Sequence, residues 1–144
     1  AVVGYIEGQL VRRVPRFVYL ADRHSSEVYW LLETLFGADD ALRPRLKRDS
    51  IWGDALDAGR ILAIEHLELD PSHRGKGVLR HLSAPLRALC FEWKAACAIA
   101  EVVFADEGRV LTTAPMADDL NKRRRQRVSE KLRDSFVSMG FRRV

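Results

Sequence analysis

The stretch Leu67-Glu68-Leu69-Asp70-Pro71-Ser72-His73-Arg74-Gly75-Lys76-Gly77-Val78-Leu79 holds the residue types best suited to chemistry. An apolar strand ends, a tight turn follows, and a glycine-bearing loop enters a helix. A helix start leaves N–H groups without partners and carries about half a positive charge, so it suits a phosphate. Gly75 and Gly77 remove side chains where a phosphate must approach backbone, and Arg74 and Lys76 add positive charge at the same place. The competing reading is an ordinary strand–turn–helix junction that uses its glycines for turning. Just upstream, Glu65 and Glu68 are candidate proton acceptors. They are three apart on a strand, so they point to opposite faces and only one can serve a given cleft. His66 lies between them and reads as a sheet residue.

Common phosphate motifs narrow the choice. Gly-Lys followed by Ser or Thr is absent, which excludes a P-loop NTPase. The dinucleotide pattern fails because Arg80 takes the place of its last glycine. What remains is a loop that cradles a pyrophosphate without a metal.

Arg74-Gly75-Lys76-Gly77-Val78-Leu79 resembles the acetyl-CoA signature of the GNAT N-acetyltransferase superfamily. That signature reads Gln or Arg, two residues, Gly, one residue, then Gly or Ala. Arg74 and Gly77 match, and Leu79 departs from the small final residue. Glu65 to Leu69 looks like the family's central strand. The stretch from Ser129 to Phe141 looks like its C-terminal motif: Ser129 takes the Asn position, Leu132 the Ala position and Phe136 the Tyr position, while Gly140-Phe141 matches outright. The resemblance spans about Ala58 to Val144.

This resemblance implies an α/β (α+β) fold, with a mixed, largely antiparallel central sheet flanked by helices. Here a helical insertion would precede the central strand. It implies one domain over residues 1–144, and the start at Ala1 without Met suggests that the first strand and helix of the fold are missing. The backbone of Leu67, Glu68 and Leu69 would pair with the pantetheine arm as an added strand does. The amides of Arg74, Gly75, Lys76, Gly77, Val78 and Leu79 would hold the pyrophosphate, and Ser129 would join that cofactor site. A primary amine, on a small molecule, a peptide or a protein, would attack acetyl-CoA directly, with no covalent intermediate and no metal. Glu65 is the first choice of base and Glu68 the second. Phe136 stands where relatives often carry a Tyr acid, and Phe has no proton to give. A degenerate acyl-CoA- or protein-binding relative is therefore the alternative function, and a basic nucleic-acid-binding domain a further one.

These groups need elements to hold them. Val2–Ile6 and Leu10–Val11 read as a hairpin turning at Glu7-Gly8-Gln9, with Phe17–Leu20 as either a third short strand or a continuation past Pro15. Ser25 or Ser26 caps a helix running to Phe36, which Gly37 stops. A short helix and linker fill Asp39–Ser50. Ile61–Leu69 is a strong strand. Val78, Leu82, Leu86, Leu89 and Ala96 share a helical face that Pro85 kinks or restarts. Val102–Phe104 reads as a buried strand and Leu120–Met139 as a basic helix ended by Gly140.

The chain has 144 residues, 47% of them hydrophobic and 31% charged, enough for one core and a solvated surface. No apolar run reaches a membrane span, and no signal peptide is evident after Ala1. Net charge is +4, with Lys122, Arg123, Arg124, Arg125 and Arg127 in one block. That block lacks the interleaved aromatics of single-strand binders and reads as a solvated helix face. Trp52, beside Gly53, is a candidate for lining the acceptor site. Cys90 and Cys97 would share a helical face about 10 Å apart along the axis, too far for a disulfide. Reduced thiols fit the cytoplasm, with the nucleus as the alternative.

Overall fold

The computed structural model describes residues 2–48 and 56–100, together with residues 126, 127, 130, 131, 133, 134, 136, 137 and 141. The elements, in chain order, are β1 (Gly4–Val11), α1 (Phe17–Ala21), α2 (Ser26–Leu35), α3 (Pro44–Arg48) and β2 (Arg60–Leu69). Two 3-10 turns, Pro71–His73 and Val78–Leu82, lead into α4 (Ser83–Glu92) and β3 (Ala95–Ala100). The result is a mixed α+β fold whose sheet runs in the order β1-β2-β3. The β1–β2 pair is antiparallel and the β2–β3 pair parallel. Three helices lie between β1 and the middle strand β2.

The core forms where these helices meet one sheet face. α2 buries Val28, Leu32 and Leu35, spaced at four and three residues along one stripe. They pack with Phe17, Val18 and Ala21 of α1, Leu42, Leu46 and Leu56, and with Ile61, Ala63 and Ile99 of the sheet. Leu62 and Ile64, on the opposite pleat, are buried too. Phe17 meets Phe36 edge to face at 5.1 Å, and the Arg13 guanidinium lies 4.9 Å from the Phe36 ring centre.

Caps fix the helix starts. Ser25 caps α2 by accepting the Val28 N–H at 3.2 Å. Arg16 heads α1 with no side-chain cap of its own. A carboxylate distant in sequence serves instead: Asp40 accepts the N–H groups of Arg16 and Val18.

Several sequence expectations are corrected. Gly4–Val11 is one strand, not a hairpin. Gly8 is there for close approach rather than for a turn, since a Cβ on it would lie 2.5 Å from the Ala63 carbonyl oxygen. Phe17–Leu20 is helical, because Asp40 caps its start and its apolar residues face the α2 stripe. The helical pattern after Gly77 stops at Glu92, and Ala96 belongs to β3. Pro85 restarts the helix, sitting in the first turn of α4 where a missing N–H costs nothing. Cys90 and Cys97 therefore lie on different elements, α4 and β3, and both are free thiols.

The described residues from 126 to 141 belong to a second compact unit. Those between 126 and 137 are helical. Gln126 Nε2 donates to Glu130 Oε1 at 3.1 Å. The Phe141 N–H donates to the Phe136 carbonyl at 3.1 Å, and the two rings meet edge to face at 5.2 Å. Gly140 itself, Ser129, Trp52, Val102–Phe104 and the basic residues from 122 to 125 lie outside the described residues. Among the described residues, no helix is long and apolar enough to cross a membrane.

Candidate functional site

The site is built on the outer half of β2 and the loop after it. Pairing with β3 runs from Arg60 to Ile64, and β2 continues to Leu69. On its other side β2 pairs with β1 throughout, but the register steps from Glu7↔His66 to Gly8↔Ile64. Glu65 is the extra residue of that β-bulge, which bends the strand and re-aims its side chains. The irregularity therefore falls where β2 outruns the described part of β3.

The bulged residue does not stand alone. Glu65 Oε2 accepts the Ser25 hydroxyl at 2.6 Å, so the N-terminus of α2 holds it. Ser25 is buried, whereas Glu65 is half-buried. The same hydroxyl lies 3.1 Å from Glu27 Oε2. Glu27 is held below the usual carboxylate range, chiefly by its own backbone N–H, then by Ser25 and more weakly by the charge of His66. Glu68 follows a different course: its Oε2 accepts the Tyr5 hydroxyl at 3.0 Å across the β1–β2 pair. That bond and the carboxylate charge raise the Tyr5 phenol above its ordinary pKa.

The two acids part, with Glu65 tied to α2 and Glu68 to β1. Sequence reasoning identified Ser25 only as a cap and gave Tyr5 no role. The strand register that sets Tyr5 opposite Glu68 leaves no local trace in sequence.

At the end of β2, Asp70 accepts both the N–H of Ser72, at 2.8 Å, and its hydroxyl. These bonds, side chain first, hold the Asp70 carboxyl below its ordinary pKa. The Arg74 side chain folds back, its Nε donating to the Leu69 carbonyl at 3.0 Å. The loop then turns through Gly75 and Gly77, each at φ +75°. L side chains rarely adopt that conformation. Nothing lies within 4 Å of where a Cβ on either glycine would sit. The N–H groups of Arg74 and Arg80 donate to the Pro71 and Gly77 carbonyls at the two ends of this turn. Lys76 and Arg80 are exposed, and Val78 and Leu79 are half-buried. An open glycine turn with nearby cations is chemically suited to an anion.

Two other features are not this site. A depression of about 630 Å³ lies on α2 and after it, lined by Glu27, Trp30, Glu33, Thr34, Arg43 and Arg45. Arg43 donates to the Glu33 carbonyl and Arg45 to the Thr34 carbonyl, so both satisfy the C-terminal end of α2. The thiols are poorly poised for nucleophilic work, since burial pushes Cys97 up to about 11 and raises Cys90 as well. Compared with known protein families, with curated proteins and with solved structures, the chain matches none.

Proposed function

We propose that the chain binds acetyl-CoA and transfers its acetyl group to a primary amine, as its resemblance to the GNAT superfamily implies. The observation that carries this reading is the loop from Gly75 to Leu79. Two glycines hold left-handed backbone with open space beside them, and Lys76 and Arg80 are exposed next to them. The setting supports it as well. A parallel strand–helix–strand unit, β2–α4–β3, brings this loop directly after a bulged central strand. Arg74, Gly75, Lys76, Gly77, Val78 and Leu79 would bind the pyrophosphate, and the backbone of Leu67 and Leu69 would meet the pantetheine arm. Glu65 would take the proton as the amine nitrogen bonds to the acyl carbon and the carbon–sulfur bond breaks.

The deciding measurement is calorimetric titration with acetyl-CoA and with CoA, followed by a thiol-release assay over a panel of amines. Saturable binding that Gly77→Asp removes while the fold persists is the expected result. Unchanged affinity in that variant would overturn the site.

A second reading has its own observation. Phe136 is buried against Phe141 and carries no proton, so the chain would bind the cofactor without turnover. Cofactor binding with no thiol release from any amine would favour it.

A further inference from the structure

We propose that Ser25 positions Glu65 and passes the proton that Glu65 accepts on to Glu27; this rests on the transferase reading. A hydroxyl has one proton to give and two lone pairs to receive with. At Ser25 one lone pair takes the Val28 N–H at 3.2 Å. Two carboxylate oxygens compete for the single proton, Glu65 Oε2 at 2.6 Å and Glu27 Oε2 at 3.1 Å. Only one can receive it at a time. The three side chains form a chain of oxygens that leads from the half-buried bulge of β2, through a buried hydroxyl, to an exposed carboxylate on the first turn of α2.

The step balances within those groups. Protonated Glu65 donates to Ser25 Oγ while the hydroxyl's own proton moves to the Glu27 carboxylate. The O–H bond on Glu65 breaks, one forms on Glu27, and Ser25 ends as it began. Glu27, being exposed, then releases the proton to water. His66, exposed and next to Glu65 in sequence, acts on Glu27 as well, and Glu33, Arg43 and Arg45 line the same depression as Glu27. On this account a carboxylate one residue into α2 matters to turnover although it lies off β2.

The test separates the hydroxyl from the cap. Ser25→Gly keeps an acceptable N-cap and removes the hydroxyl, and Ser25→Thr keeps both. Glu27→Gln leaves cap and Glu65 contact in place but ends the relay. The expected result is a kcat about tenfold or more lower in Ser25→Gly and Glu27→Gln, with KM for acetyl-CoA unchanged and Ser25→Thr near wild type. A double-mutant cycle of Ser25→Gly with Glu65→Gln, read by denaturant unfolding, should show coupling of about tenfold in the unfolding constant. Unchanged kcat in Glu27→Gln overturns the relay. Absent coupling removes the contact itself, with the function untouched. Coupling without thiol release from any amine instead removes the transferase reading, and the relay's role with it.

Discussion

Ser25 illustrates how a single residue serves two levels of structure. Its hydroxyl starts α2 and also fixes the acid that sits on the bulge of β2. The Glu27 carboxyl reports on that arrangement. Its pKa lies below the ordinary 4.5, with Ser25 the second cause after its own backbone N–H. Ser25→Gly should raise the Glu27 pKa toward the ordinary value without restoring it fully. A side-chain carboxyl NMR titration checks this, and a Glu27 pKa that does not move would mean the hydroxyl spends its proton elsewhere. Gly77 makes a different demand on the chain. At φ +75° an added Cβ has room but an unfavourable backbone. Gly77→Ala should therefore cost about 1–2 kcal/mol of stability, measured by urea unfolding.

At the scale of elements, the strongest prediction concerns α2. Leu32 is fully buried in the stripe that joins α1, α2 and the sheet. Leu32→Ala should cost about 2–5 kcal/mol, the range for a leucine that leaves a cavity. Urea unfolding would show it as a lower midpoint with a similar slope, and a loss under 1 kcal/mol would place Leu32 outside a tight core. This helix was legible in sequence because its signals are local: Ser25 before it, Val28, Leu32 and Leu35 on one face, and Gly37 beyond it. β2, its end at Asp70-Pro71-Ser72, and the positive-φ glycines were legible for the same reason.

What misled were residues whose role is set by distant partners. Gly8 looks like a turn residue, yet it answers to the Ala63 carbonyl on another strand. Phe17–Ala21 has β-prone residues and no local cap, yet Asp40 closes its first turn. The candidate site divides the same way. The glycine turn of its loop could be read directly, but the α-helix expected after Gly77 begins only at Ser83, behind the 3-10 turn Val78–Leu82. The hydrogen bonds that give Glu65 and Glu68 different surroundings needed the register of β1 and the docking of α2.

Over the whole molecule, titratable groups set the pH range in which the fold is most stable. Glu27 and Asp70 have folded pKa values below their ordinary 4.5 and 3.8. A depressed acid stabilises the fold above its unfolded pKa, and that contribution is lost as pH falls through the folded value. Both groups are exposed, so the acid arm should be shallow. The alkaline arm has another origin. Cys97 goes from an ordinary 9.0 to about 11 in the fold, first because burial disfavours the thiolate and then because of Cys90. A raised pKa gives stability that is complete below the unfolded value and lost as pH rises through the folded one. Above pH 9.0 the unfolded chain releases this proton while the folded chain holds it until about 11. Unfolding is thus favoured by an amount on the order of 2 kcal/mol by the top of that window. Under reducing conditions, stability should hold through neutral pH and drop between about pH 9 and 11. Cys97→Ala should make that drop smaller, the remainder belonging to Cys90, Tyr5 and Tyr29, which are raised as well. It should leave the acid arm unchanged, because Glu27 and Asp70 do not depend on β3. Thermal unfolding at pH 8, 9.5 and 11 in both proteins measures it, and parallel curves on the alkaline side would show that the Cys97 thiol is not what burial restrains.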